Sequence, residues 1–540
     1  MNDKYLKLFC LLLFNLTFSF TGCGQMEKEV KKMDSLKKVQ NETIAGNFSS
    51  QLRISFDSTQ LDTFLLEYPK LKRYENDLRS FYRKRNFSYV WFEDSKLIEQ
   101  AGNLINRLKN LEDEGIFKRL SYTNTLDSLS YVSGIGSKKT KPNIKLELLL
   151  TSEYFVFFNL AWEGMNPVVS KTNSWFLPRK KIPYDLYLDS LLKLPAKNLS
   201  DKEPVYRQYE LLKTYLRKYR KIDAQSDWFP INKNANKALI ISQVKKRLFY
   251  LEDYEGELQD TLLDEQLNLA LIRFQQRHGL DTNGLINKET IFELNVPIKT
   301  RIKQILVNME RNRWLPATSK GDYLAVNIPE FKLHVYHGEN ILWSCNAVVG
   351  QTVHPTTLFY GEINQVVFSP YWNIPETIVA KEIIPGMKKH PNYLNKHEME
   401  IVGERNGLPI VRQRPGPSNS LGLVKFLFPN SYNIYLHDTP SKSLFNETAR
   451  AFSHGCIRIA EPAKLAAFLL KDNNKWSETA INKAMHNGKE KYVLLTEKVP
   501  VFIAYFTTFI DRDNRLNFRK DIYKLDERLA SMIISGDGSY

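Results

Sequence analysis

The apolar residues of this chain change their period near Tyr323, and that change limits what it can fold into. Upstream, Leu267, Ala270, Leu271 and Phe274 fall at i, i+3, i+4 and i+7, one face of a helix. Leu104, Leu108 and Leu111 recur at the same spacing, and Leu148 to Trp162 is a mostly apolar run. Downstream, Phe331, Leu333 and Val335 alternate with Lys332, His334 and Tyr336, and His337-Gly338-Glu339-Asn340 supplies a hairpin turn. Val348-Val349-Gly350 and Val366-Val367-Phe368 continue the strand series, with Tyr492–Leu495 and Val501–Thr507 as further strands. A helix follows Pro462, over Ala463–Leu470. One element type cannot serve both periods. The chain therefore reads as multidomain α+β, a mostly helical N-terminal part followed by a mostly β domain. Its 540 residues suffice for two to four domains.

The N-terminus carries other signals. Lys4 and Lys7 precede an apolar stretch from Leu8 to Phe20, too short to span a bilayer and suited to a secretory signal. It ends at Thr21-Gly22-Cys23, similar to a bacterial lipoprotein cleavage site, which makes Cys23 the expected lipidation site after a signal peptide over 1–22. Residues 23–55 are polar and read as a flexible tether. The formal net charge of +16 suits anionic partners such as phospholipid headgroups or stem carboxylates. No arginine-rich stripe or nucleic-acid motif appears, so nucleic acid is not an expected partner.

Four cysteines are present: Cys10, Cys23, Cys345 and Cys456. With Cys10 and Cys23 in the leader, no disulfide framework remains. Cys345 lies in a strand-like run and reads as a packed small hydrophobe. Cys456 stands in Ser453-His454-Gly455-Cys456-Ile457-Arg458, nineteen residues after His437 in Tyr435-Leu436-His437-Asp438. Tyr432–Leu436 is β-prone, which puts His437 at a strand end, and the glycine-containing turn returns the chain to that edge. A thiol becomes a nucleophile as its thiolate, so it needs such a base nearby. A buried structural thiol is the alternative. Zinc on His437, His454 and Cys456 lacks the short paired spacings of a metal site, so neither metal nor cofactor is expected.

The surrounding residues decide between these. Arg412-Gln413-Arg414-Pro415-Gly416-Pro417, Leu421–Phe426, Ile434–Pro440 and the Ser453–Arg458 run together resemble the L,D-transpeptidases of bacterial cell-wall synthesis. They look most like the large periplasmic subfamily, with an arginine two residues after the cysteine. Asn308–Arg311, Arg313–Pro316 and Tyr371–Pro375 match it too. Phe274–Leu280 and Asp281–Gly284 resemble peptidoglycan-binding domains.

The resemblance implies a helical scaffold over 56–235, a small three-helix peptidoglycan-binding-like module over 238–298, and a catalytic domain over 300–510. The last would carry a mobile capping insertion at about 375–412, where strand alternation lapses, and a packed tail over 511–540. It implies periplasmic location, attached to a membrane through the lipid, and peptidoglycan stems and glycan as partners. Cys456 would be the nucleophile and His437 its base, assisted by a backbone carbonyl from Asp438 or Thr439. The N–H groups around Gly455 and Cys456 would form an oxyanion hole. Ser453 would orient the turn and His454 would point away from the thiol. Arg458 would bind a stem carboxylate or form a salt bridge under the turn. The expected reaction transfers a tetrapeptide stem to an amine, giving 3–3 cross-links. Hydrolysis to an L,D-carboxypeptidase, or an inactive wall tether, are the alternatives.

Overall fold

A computed structural model describes residues 54–93, 96–134, 142–193, 207–315 and 321–535. Cys23 and the tether expected at 23–55, as far as residue 53, lie outside these residues. The chain forms two compact units and passes between them more than once: Met1–Asn110, Arg119–Asn159 and Ile182–Glu203 make one, and Leu111–Lys118, Leu160–Lys181 and Pro204–Tyr540 the other. Among the described residues no helix is long and apolar enough to cross a membrane.

The first unit is helical. Its central helix α1 (Ile144–Phe158) starts at Asn143, whose side chain accepts from the Lys145 and Leu146 N–H groups. The apolar run expected from sequence is buried on most sides of α1. Glu147 is buried among these residues and accepts from the Val90 and Trp91 N–H groups and the Tyr82 hydroxyl. Burial still pushes its carboxyl up to about 7.

In the second unit, helices α2 (Arg207–Gln225), α3 (Lys237–Tyr250), α4 (Glu265–Arg277), α5 (Lys288–Leu294) and α6 (Ile298–Arg313) precede the strands. Asn236, Asp264 and Asn287 cap α3, α4 and α5 by accepting from the backbone two or three residues on. These three helices enclose an apolar core containing Val244, Leu248, Leu267, Leu271, Phe274 and Leu294. Gly279, at φ +63°, ends the α4 segment in the left-handed conformation.

From Asp322 onward the strands are β1 (Asp322–Asn327), β2 (Lys332–His337), β3 (Asn340–Gly350), β4 (Leu358–Phe368), β5 (Trp372–Asn373), β6 (Met399–Arg405), β7 (Leu408–Gln413), β8 (Val424–Leu427), β9 (Leu436–His437), β10 (Ala451–Ser453), β11 (Ile457–Ile459), β12 (Lys491–Ala504), β13 (Thr508–Ile510) and β14 (Leu516–Phe518). The main sheet runs β8-β9-β11-β3-β2-β1-β12-β4, β4 also pairs with β8, so it closes into a ring, and Trp175–Phe176 adds a short parallel strand to β4 at Leu358 and Phe359. Closure leaves these strands no free edge and places alternate residues inside. Leu324, Val326, Leu333, Val335, Val366, Leu436 and Ile457 are fully buried.

Three sequence expectations change here. Tyr492–Leu495 and Val501–Thr507 are not two strands but one, β12, with a register shift between Leu494 and Val499 and an end at Ala504. The strand expected over Tyr432–Leu436 shrinks to Leu436–His437, because Asn433 adopts φ +56° and breaks the extended run. The insertion is not a stretch without alternation. It forms short helices between Glu376 and Lys396 and a separate antiparallel sheet ordered β5-β7-β6. Asn406-Gly407, at φ +53° and +73°, turns β6 into β7, the Asn-Gly signal for a tight hairpin. Ile374, Val379, Ile383, Met399 and Val411 give this insertion its own core.

Candidate active site

The site sits where β9 and β11 run parallel. Leu436 lies opposite Ile457, and His437 opposite Arg458. Side chains in register share a face, and residues two apart along a strand return to it. Tyr435, His437 and Arg458 therefore crowd one face, and Cys456, two before Arg458, enters the same space. The Tyr435 and His437 rings are 5.7 Å apart.

Cys456 is partly exposed and free, whereas Cys345 is buried in β3. The Cys456 Sγ lies 3.5 Å from the Asn433 carbonyl and interacts with the Tyr435 hydroxyl and backbone. The left-handed turn at Asn433 is what aims that carbonyl inward. Burial raises the thiol above its ordinary range, opposed by the Tyr435 contacts and by the Arg458 charge. Burial likewise pushes His437 down to about 3, with the Arg458 charge adding to it. The resting pair is a neutral thiol and a neutral imidazole.

His437 is 4% exposed, and its Nδ1 is 2.5 Å from the Asp438 carbonyl oxygen. An Nδ1–H donating there leaves Nε2 as the basic nitrogen. The Asp438 carboxylate has a different task. Its Oδ2 accepts from the Leu423 N–H at 2.8 Å, and its Oδ1 takes Lys442 Nζ at 2.5 Å. Gly422, at φ +62°, lies so close that a Cβ there would meet the Asp438 carboxyl carbon at 2.4 Å.

Ser453 Oγ donates to the Cys456 carbonyl at 2.5 Å and accepts from the Gly455 N–H at 3.1 Å. That second bond alters the expected oxyanion hole: the Gly455 N–H is already engaged. The Cys456 N–H has no acceptor among the described residues. Thr356 Oγ1 accepts from the Gly350 N–H and donates to the Gly455 carbonyl, pinning the loop to the end of β3. His454 turns away from the thiol. Its ring lies 5.3 Å from that of His354, and its Nε2 is 3.6 Å from Glu382 Oε1 of the insertion.

Arg458 does not form the salt bridge under the turn. No carboxylate pairs with it among the described residues, and its Nε is buried without a hydrogen-bond partner. No group of three or more metal-ligating side chains is found among the described residues. Sequence reasoning passed over Tyr435, Asn433, Thr356 and Glu382. Only Tyr435 was accessible, because its spacing of two from His437 puts both on one strand face.

Residues 321–493 match the family model of the L,D-transpeptidase catalytic domain, YkuD, and residues 76–216 match a Scaffold domain. The chain thus carries a YkuD L,D-transpeptidase domain and a Scaffold domain. A Haemophilus influenzae protein provisionally named L,D-transpeptidase is 33% identical over 251 residues, 44% of this chain and 50% of its own. The chain spans about half the length of that curated relative. Solved structures include an L,D-transpeptidase from Stackebrandtia nassauensis (13% identity, 51% of this chain and 95% of that one, TM-score 0.22) and one from Mycobacterium smegmatis (12% identity, 35% and 60%, TM-score 0.20). At TM-scores this low, neither likeness bears on the chemistry of the site.

Proposed function

We propose that the L,D-transpeptidase domain at residues 321–493 makes this protein a cysteine acyltransferase of cell-wall peptidoglycan. The observation that carries the reading is the parallel register that sets His437 opposite Arg458, with the Cys456 thiol against Tyr435 and His437 Nδ1 fixed on a backbone carbonyl.

The steps begin from the resting state. His437 Nε2 removes the thiol proton as Sγ attacks the carbonyl carbon after the third residue of a tetrapeptide stem. The Cys456 N–H donates to the developing oxyanion. The carbon–nitrogen bond then breaks, the imidazolium returns its proton to the leaving amine, and a D-amino acid departs. A thioester on Cys456 remains. The amine of a neighbouring stem attacks it, His437 takes the amine proton, and the thiolate leaves and is reprotonated. The product is a 3–3 cross-link. Arg458 holds a stem carboxylate, a role its orphaned guanidinium suits. Ser453 braces the turn, and His454 meets the capping insertion.

The test is intact-protein mass spectrometry with a carbapenem. A single adduct on the parent, absent from Cys456→Ala and present in Cys345→Ala, is expected. An adduct that survives in Cys456→Ala would overturn the assignment of the nucleophile.

A further inference from the structure

A cavity of about 360 Å³ opens where α2, the end of α3, α4 and the β13–β14 hairpin converge. Its volume lies in the range of small-molecule sites. Much of its wall is charged, but several of those charges are already spent. Arg277 forks onto both Asp253 oxygens and donates to the Leu516 carbonyl. Lys218 pairs with Glu252. Tyr215 donates to the Asn514 carbonyl at 2.8 Å. These bonds fasten the four segments together and build a rigid floor.

Other groups facing the cavity are unspent. Tyr219 is 3% exposed, yet its hydroxyl has no hydrogen-bond partner among the described residues. Its ring is held at 5.8 Å against Phe518, so it has a fixed direction. Arg515 has no ion-pair partner there, and Arg273 uses only one N–H, on the Asp253 carbonyl at 2.5 Å. Tyr250 offers a further aromatic wall. Glu255, which is exposed, is also unpaired and can accept from a donor on the ligand.

We infer that this cavity is a ligand site for a small carboxylate that carries its own hydroxyl or amide N–H donors. The carboxylate meets Arg515 and Arg273, the Tyr219 hydroxyl bonds an acceptor on the ligand, and the donors face Glu255. Both a sugar acid and a peptide C-terminus have this chemistry. The choice of probes rests on the cell-wall reading, but the site shares no residue with Cys456 and its loop.

The test is calorimetric titration of the full chain carrying Cys456→Ala, so that acyl transfer cannot enter the result. N-acetylmuramic acid represents the sugar acid, D-alanyl-D-alanine the peptide, and N-acetylglucosamine a saccharide without the carboxylate. Saturable binding of one of the two carboxylates, at least tenfold tighter than N-acetylglucosamine, is expected and identifies the source. Arg515→Ala combined with Tyr219→Phe should weaken that binding at least tenfold without lowering the melting temperature, because Tyr219 gives up no internal hydrogen bond. Undiminished binding by the double variant, or no binding of either carboxylate, overturns the site. Either result leaves the carbapenem test of Cys456 untouched.

Discussion

At the residue scale, the burial of His437 sets the pH behaviour. His437 sits at about 3 in the folded chain against an ordinary value of about 6.5. It is therefore neutral throughout the neutral range. Histidine NMR should show no titration of His437 between pH 5 and 8, and acylation should rise with pH without an inflection near 6.5. An inflection there would mean that the imidazole is solvated rather than buried. The same shift affects stability. A histidine whose folded value is depressed contributes fully above its unfolded value, and the contribution is lost as pH falls from about 6.5 toward 3. Glu147 and Glu153, each raised to about 7 by burial, act in the opposite direction. The difference between parent and His437→Gln isolates the histidine. The parent's melting temperature should drop more than the variant's between pH 7 and 5.

Tyr435 gives a second expectation at this scale. Its contacts lower the Cys456 value against the effect of burial. Tyr435→Phe should slow alkylation of Cys456 at pH 7 and shift the labelling profile to higher pH. An unchanged profile would remove Tyr435 from the site. Cys456, His437 and Arg458 were legible in the sequence because their residue types themselves suit the proposed chemistry. Asn433 was not, because it acts through a carbonyl aimed by a left-handed turn, and such a turn leaves little mark on residue type.

At the scale of elements, the capping insertion is a small folded body joined to the catalytic loop by Glu382 and His454. Ile383 is 3% exposed in its core. Ile383→Ala should destabilise this body by about 2–5 kcal/mol. Hydrogen exchange should then quicken in β6 and β7 and stay slow in β1 to β4. Equal loss of protection in both would show that the insertion does not open independently. The β6–β7 hairpin was legible at Asn406-Gly407, but the prolines and lysines before it drew the reading toward an irregular segment. The pairing of β8 with β4 was not legible. It joins residues about sixty apart, Val424 to Phe368 and Phe426 to Val366, and no local period encodes such a contact.

For the whole molecule, the change of period near Tyr323 foretold a helical part followed by a mostly β domain. It could not foretell that the chain passes between two units more than once, since that depends on packing between distant segments. We propose that the protein is tethered to a membrane through acylated Cys23, with its folded part on the periplasmic side. Cys23→Ser should then leave the membrane fraction, and retention of that variant would refute the tether. The central claim is tested most directly by incubating the purified protein with tetrapeptide-bearing muropeptides and sequencing the products by tandem mass spectrometry. The account predicts 3–3 cross-linked dimers with release of the terminal D-amino acid, and neither product with Cys456→Ala or His437→Ala. Dimers formed equally by Cys456→Ala, or no reaction from folded, adduct-free parent whose thiol does take a carbapenem in a separate sample, would contradict it.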